Sequence, residues 1–128
     1  GGENVKRHYD GGGVGRIENA SGTFQLVDES DSRFKENIAA TVLTGLETIN
    51  AVDVIDFDRK KNGIRVVGGF TAQQLLDVFP AAVSGAEDDV DADGNIEPMA
   101  VAKEKFVPLL VKAMQELSAK VAALEAAQ

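Results

Sequence analysis

The C-terminal part of the sequence carries a leucine at every seventh position, at Leu110, Leu117 and Leu124. In a helix this spacing places the three side chains along one face, as in coiled coils. A second row of the same heptad is apolar at three of its four positions: Phe106, Ala113, Lys120 and Ala127. We therefore expect a long amphipathic helix whose second row is interrupted by Lys120.

Pro108 limits where this helix can begin, because proline breaks a helix interior but is tolerated in the first turn, where its missing N–H is not needed. The helix is therefore expected to start between Lys103 and Lys105 and to cover about residues 103–126. About three heptads make a helix that is marginal by itself. It must pack either across its own domain or against helices of other chains.

A second helix is predicted from Ser32 to about Asn50. Asp31 and Ser32 are both suitable N-cap residues. Apolar residues then recur at helical intervals: Phe34, Ile38, Val42, Leu46 and Ile49.

The next stretch predicts a β-hairpin followed by a short helix. Apolar and acidic residues alternate over most of Val52–Asp58, which is typical of a half-buried strand. Asn62-Gly63 is a strong hairpin signal, and the chain is expected to return over Ile64–Val67. Thr71–Phe79 then predicts a helix closed by Pro80. Together these patterns indicate an α+β fold, a small mixed domain of short helices and β-hairpins that ends in the long helix.

Residues 1–29 lack helical periodicity and predict a β-rich segment separate from a domain at 30–128. Ile17 and Phe24–Leu26 are expected in short strands broken by a turn at Asn19–Gly22. Gly11–Gly15 lacks the Gly-Lys-Ser/Thr ending of a phosphate-binding loop and indicates a turn. His8, the only histidine, is interpreted as a surface residue.

Composition excludes several functional classes. The 128 residues carry a net charge of −8, which argues against a nucleic-acid partner, because phosphate binding needs a basic face. The chain has no cysteine, so disulfides and thiolate metal sites are excluded. No apolar run is long enough to cross a bilayer, so no membrane partner is expected. No cofactor motif is present, and we expect no cofactor.

The acidic loop at residues 87–97 partly matches a calcium-binding loop. Asp89, Asp91, Asp93 and Gly94 have the spacing of its first positions, but the twelfth position is Ala100 instead of a bidentate glutamate. The alternative is a hairpin turned at Asp93-Gly94 and kept soluble by its aspartates. We expect no metal, with these three aspartates as the candidate ligands if one binds.

Ser30 and Lys35 form a possible catalytic pair, a hydroxyl nucleophile and an amine that could accept its proton when neutral. A separation of five residues does not bring two side chains together in a regular helix or strand, so a bend is required. A helix starting after Ser30 would provide that bend. Its N-terminal N–H groups would also lie near an oxyanion on the carbonyl of Glu29.

The nonapeptide from Ser30 to Ile38 reads Ser-Asp-Ser-Arg-Phe-Lys-Glu-Asn-Ile. It resembles the Ser-Asp-x-Arg-(aliphatic)-Lys-x-Asn-Ile signature of the C-terminal intramolecular chaperone domains of phage tailspikes and tail fibres. These domains, of the endosialidase type, form the self-cleaving peptidase family S74 with a Ser-Lys dyad. Residues 67–80 are similar to that family's Gly-(aromatic or aliphatic)-x-Ala-Gln-Glu segment ending in Phe-Pro, and residues 106–117 to its C-terminal helix.

The sequence departs from the family pattern at three places. Phe34 stands where leucine is usual, Gln74 stands where glutamate is usual, and the aromatic residue often found before the last helix is missing around Ala102. None of these departures changes Ser30 or Lys35. They bear on local packing more than on cleavage.

The resemblance implies a homotrimer whose C-terminal helices form a bundle and set the register of the upstream fibre or spike. It implies a single-turnover self-cleavage between Glu29 and Ser30, with Ser30 as nucleophile and Lys35 as base. Arg33 could lower the lysine pKa or hold Asp31 in an ion pair, and we favour the ion pair. The upstream fibre would be both folding client and substrate.

The same resemblance implies assembly in the host cytoplasm, after which the upstream part stays in the virion tail and the chaperone domain is released. The alternative is a non-catalytic trimerisation or receptor-tip module of a viral fibre. In that case Ser30 is only a polar residue before a helix, and replacing Lys35 has little effect.

Overall fold

A computed structural model describes residues 15–128 of the chain. His8 and the glycine run before Gly15 lie outside the described residues. The chain forms two compact units, residues 1–40 and residues 41–128. The predicted functional boundary between residues 29 and 30 is a different division, and it stays a prediction.

The described part of the first unit contains a β-hairpin of strands β1 (Gly15–Ala20) and β2 (Thr23–Asp28). The strands are antiparallel, with Ile17 opposite Leu26. Ser21 and Gly22 join them with φ angles of 52° and 76°, the two left-handed residues that a tight hairpin turn requires. The predicted strands are confirmed, but the turn is shorter than predicted, because Asn19 and Ala20 belong to β1.

The predicted helix from Ser32 to about Asn50 is wrong over most of its length. A single 3-10 turn covers Ser32–Phe34, and the next regular element is helix α1 (Gly45–Ala51). Asn37 has a φ of 54°, in the left-handed region, and an α-helix cannot continue through a residue in that conformation. The hydroxyl of Thr41 accepts a hydrogen bond from the N–H of Leu43 at 3.0 Å, which is a local alternative to helical bonding.

The first three residues of the apolar pattern that suggested this helix are not buried among the described residues. Phe34, Ile38 and Val42 are exposed, Val42 completely at 100%. Helices in proteins owe most of their stability to tertiary packing of an apolar face. The periodic pattern therefore did not produce a helix here.

The second unit begins with α1 and continues through a hairpin and a short helix, as expected. Its remaining elements are β3 (Ile55–Asp58), β4 (Arg65–Gly69), α2 (Ala72–Val78), β5 (Val83–Ser84), β6 (Ala100–Val101) and α3 (Phe106–Ala126). Strand β3 pairs with β4 and β5 with β6, both antiparallel. Strand β3 begins at Ile55 and not at Val52 as predicted, because α1 ends at Ala51 with Val52 as its C-cap.

Helices α2 and α3 and the segment between them form the hydrophobic core of the second unit. Its buried members are Leu75, Phe79, Ala82, Phe106 and Leu109. The ring of Phe106 stacks on Phe70 at 4.9 Å and meets Phe79 edge-on at 5.2 Å. Such aromatic contacts add to the burial of apolar area. The start of α3 is therefore fixed against its own domain.

The long C-terminal helix is confirmed. A 3-10 turn at Lys103–Lys105 leads into α3, so helical structure covers the expected residues 103–126, with Pro108 in the first turn of α3. The predicted second row of the heptad is wrong, because Phe106 and Ala113 are buried in the chain's own domain.

The mixed α+β class is confirmed by these helices and short strand pairs. Among residues 15–128 no helix is long and apolar enough to span a bilayer.

Candidate functional site

Ser30 and Lys35 meet just after strand β2. The 3-10 turn at Ser32–Phe34 reverses the chain between them, and its last bond runs from the N–H of Lys35 to the carbonyl of Ser32 at 3.0 Å. Lys35 Nζ donates a hydrogen bond to Ser30 Oγ at 2.5 Å. The bend that a spacing of five residues requires is therefore present, although it is a single turn and not the start of a long helix.

Asp31 holds this turn together. Its carboxylate caps the turn by accepting from the backbone N–H of Arg33 at 2.9 Å. The Arg33 guanidinium donates to the same carboxylate, with Nε 3.1 Å from each oxygen and Nη2 2.7 Å from Oδ2. Bidentate arginine–carboxylate pairs are among the stronger hydrogen-bonded contacts. The expected ion pair between Asp31 and Arg33 is confirmed.

The electrostatics of the turn follow from this pair. The hydrogen bonds from the Arg33 side chain and backbone lower the pKa of Asp31 below its usual range, and the nearby Lys35 lowers it further. The Asp31 carboxylate raises the pKa of Arg33. Asp31 and Arg33 are both charged at neutral pH, and each is the ion-pair and hydrogen-bond partner of the other.

The pair opens onto a shallow cleft in the first unit. The cleft has a volume of about 300 Å³ and is lined by Asp28, Glu29, Asp31, Phe34 and Lys35. Ser30 and Lys35 are both exposed, and the Phe34 side chain is 89% exposed. The bond between Glu29 and Ser30 therefore lies in solvent in the single chain.

The expected oxyanion donors are not supplied by a long helix. The N–H groups of Arg33, Phe34 and Lys35 already donate to Asp31 Oδ1, Asp31 O and Ser32 O respectively. Other hydrogen-bond donors than these three N–H groups are therefore needed to stabilise an oxyanion on the Glu29 carbonyl.

The acidic loop forms a turn that uses one of its aspartates internally. Val90 and Ile96 form an antiparallel bridge, and Asp91 Oδ1 accepts from the N–H groups of Asp93 and Asn95 at 2.8 and 2.9 Å. These bonds, that of Asn95 above all, lower the pKa of Asp91. Within residues 15–128 no three acidic or histidine side chains gather as metal ligands, so Asp89, Asp91 and Asp93 do not form a ready site.

The exposed face of α3 carries a stripe that sequence reasoning identified only in part. Leu110, Leu117 and Leu124 are exposed, and so are Val107, Met114 and Val121. The six residues alternate at intervals of three and four, the spacing of a coiled-coil seam. Counting three residues back from each leucine would have identified Val107, Met114 and Val121 as the row that accompanies the leucines. We call these six residues the α3 stripe.

Two polar side chains that fix the domain gave no clear signal in the sequence. Glu116 on α3 accepts from the N–H of Gly45 at 2.7 Å and from that of Leu46 at 3.3 Å. Gln74 on α2 accepts from the N–H of Asp53 and donates to the carbonyl of Ala51. Their partners are more than twenty residues away in sequence, so local patterns could not identify them.

The site is thus a serine hydroxyl hydrogen-bonded to a lysine amine across one 3-10 turn, directly after a β-hairpin in sequence. Residues 30–84 match the Peptidase_S74 family, described as chaperone of endosialidase. The resemblance stated from the sequence is confirmed over this segment, which begins at Ser30. Comparison with curated proteins found no match.

Proposed function

We propose that this chain carries an intramolecular chaperone domain that trimerises, guides folding of the upstream part of a phage tail fibre or tailspike, and then cuts itself off between Glu29 and Ser30. The observation that carries the proposal is the contact between Lys35 Nζ and Ser30 Oγ at 2.5 Å, at the first residue of the family match. The family's name supports the chaperone and peptidase roles.

The proposed chemistry uses only groups of the chain and water. Neutral Lys35 takes the proton of the Ser30 hydroxyl, and Oγ attacks the carbonyl carbon of Glu29. The carbon–nitrogen bond to Ser30 breaks, its nitrogen receives the proton from Lys35, and an ester joins Glu29 to Ser30 Oγ. Water hydrolyses the ester, leaving a carboxylate on Glu29 and a free hydroxyl and amine on Ser30. Each chain reacts once.

The exposure of Lys35 supports a link between cleavage and assembly. An amine accepts a proton only in its neutral form, and removing water from around it favours that form. Partner chains packed over the cleft would remove that water. The exposed apolar side chains of Phe34, Ile38 and Val42 lie on the same segment and would be covered by the same contacts.

The α3 stripe supports trimerisation. All residues of α3 after Glu116 are exposed, so this half of the helix buries nothing on its own domain. An isolated helix of that length is marginal in water. Three copies joined through the α3 stripe would bury its apolar side chains and hold the chains in register.

The β1–β2 hairpin is the part of the upstream segment that the structure describes. Phe24 and Leu26 project exposed apolar side chains from β2. A two-stranded hairpin is marginally stable alone, so strands of neighbouring chains are its natural completion. The domain would act in the host cytoplasm during virion assembly, and the upstream part would remain in the virion tail.

A variant series tests the proposal. Ser30→Ala and Lys35→Ala should stay uncut, with the cleavage rate reduced at least about 100-fold by loss of the nucleophile or of its base. Ser32→Ala, another exposed serine of the same turn, and Lys60→Ala, in the exposed turn between β3 and β4, are matched controls and should cut at the parent rate. Intact mass measures the cut, and native mass counts the chains. Cleavage in Ser30→Ala would contradict the proposed nucleophile.

A non-catalytic trimerisation or receptor-tip module is the second candidate, favoured by the solvent exposure of the Ser30–Lys35 pair together with the α3 stripe. It predicts a stable trimer of uncut chains. Lys35→Ala would then leave both the mass and the oligomeric state unchanged.

A further inference from the structure

We propose that Arg33 is a positioning residue for self-cleavage: by binding both oxygens of Asp31, it keeps that carboxylate from pairing with Lys35 and leaves Nζ to Ser30. This inference rests on the proposed function, since it concerns the base of the same reaction. It gives the Arg33–Asp31 pair a role in the reaction in addition to its role in holding the turn.

The geometry of the turn places a competing acceptor beside the base. Asp31 and Lys35 line the same cleft and interact electrostatically. A carboxylate is a stronger acceptor for an ammonium group than a serine hydroxyl, because the hydrogen bond is charge-assisted on both sides. Left to itself, Asp31 would attract Nζ and favour the protonated lysine.

Arg33 already binds this carboxylate. Its Nε lies 3.1 Å from each carboxylate oxygen and its Nη2 lies 2.7 Å from Oδ2, so both oxygens are engaged. The guanidinium also offsets the negative charge of Asp31. Lys35 Nζ is bonded to Ser30 Oγ in this arrangement.

Other acidic side chains near Lys35 could also attract its amine. Asp28 and Glu29 also line the cleft, and Glu36 follows Lys35 in sequence. Arg33 is bonded to Asp31, the carboxylate that caps the turn between Ser30 and Lys35. The effect of losing Arg33 should therefore depend on Asp31.

The first test compares cleavage rates of full-length chains with one and two substitutions. Arg33→Gln should slow the appearance of the fragment 30–128 by about two- to five-fold, the scale of an exposed ion pair. Adding Asp31→Asn should restore the rate, because asparagine still caps the turn but no longer attracts the ammonium group. Arg65→Gln, which removes the exposed Arg65–Asp58 pair, is the matched control and should cut at the parent rate.

Rescue by the second substitution separates this role from a structural one. If Arg33 only stabilised the turn, removing Asp31 as well would leave cleavage equally slow or slower. Equal rates for the parent and Arg33→Gln, or no rescue in the double variant, would overturn the inference.

A second readout does not depend on cleavage. In the uncleavable Ser30→Ala chain, acetylation of Lys35 by an N-hydroxysuccinimide ester reports how readily its amine loses its proton, and peptide mass quantifies it. Arg33→Gln should reduce labelling of Lys35 by about two- to five-fold, and Asp31→Asn should reverse the loss. Labelling unaffected by Arg33→Gln would overturn the inference. A parent chain that never cuts, with labelling that does respond, would instead reject the proposed self-cleavage and leave the Arg33 interaction in place.

Discussion

At the scale of single residues, side chains that cap turns and helix ends stabilise both the candidate site and, separately, the second unit. Asp31 caps the turn between Ser30 and Lys35, and Glu116 reaches from α3 to the start of α1. Gly45 allows this approach, because a β-carbon there would clash with the backbone of Ala113 and with the Glu116 carboxylate. The turn at Ser32–Phe34 thus depends on the Asp31 side chain, and the packing of α1 on α3 depends on the Glu116 side chain.

Replacing Glu116 tests the capping role. Glu116→Ala removes the acceptor for the N–H groups of Gly45 and Leu46 and should lower the free energy of unfolding by about 1–2 kcal/mol. Glu125→Ala, at the exposed end of the same helix, is the control and should change it by less than about 0.5 kcal/mol. Urea unfolding at fixed chain concentration measures both. Equal effects of the two substitutions would contradict the capping role.

The turn at Asp91 should respond to acid. Its pKa is lowered in the folded chain by bonds from Asn95 and Asp93, so the stabilisation it provides is fully present above the unfolded value of about 3.9. That stabilisation is lost as the pH falls through the lowered folded value. Carbon NMR titration of the Asp91 carboxyl should give a midpoint below about 3.9, and the amide signals of Asp93 and Asn95 should shift with the same midpoint. A midpoint above 3.9 would contradict the turn geometry.

At the scale of elements, α3 has one face buried in its own domain and one face exposed. Phe106, Leu109 and Ala113 bury one face in the domain, while the α3 stripe is left exposed. In the segment between the 3-10 turn and α1, Ile38 and Val42 are exposed without forming a helix, whereas Leu43 packs against the core of the second unit. In the proposed trimer, other chains would cover the α3 stripe and these two exposed side chains.

A charge on the α3 stripe should prevent assembly. Leu117→Lys removes about 1.5–3 kcal/mol of apolar burial from each chain and places three like charges together at the axis of the proposed bundle. Native mass should then shift from three chains to one. Ala119→Lys adds the same charge off the stripe and should leave the trimer intact. A parent chain that is monomeric, or a Leu117→Lys chain that stays trimeric, would contradict the proposed interface.

At the scale of the whole molecule, the elements that could be predicted correctly from the sequence are those that neighbouring residues determine. The Asn62-Gly63 turn, the helix predicted over Thr71–Phe79 and the range 103–126 of the last helix are confirmed. Thr71 and Phe79 are the caps of that short helix. The spacing of Ser30 and Lys35 correctly required a bend between them. The family resemblance, confirmed over residues 30–84, came from short motifs in the same way.

The errors arose where the outcome depends on distant packing. Periodicity at Phe34, Ile38 and Val42 predicted a helix, but these side chains are exposed in the part of the chain that the structure describes. Phe106 and Ala113 were assigned to the heptad because sequence alone does not say which face of α3 the domain covers. The contacts of Glu116 and Gln74 join elements far apart in sequence and could not be deduced from local patterns.

Self-cleavage between Glu29 and Ser30 can be followed by the intact mass of the purified full-length chain over time, beside Ser30→Ala. We expect two products, residues 1–29 and 30–128, whose masses add up to that of the parent plus one water, with Ser30 as the new N-terminus. Ser30→Ala should keep its full mass. A parent chain that is trimeric and stays whole, or that is cut at another bond, would contradict self-cleavage by Ser30 and Lys35.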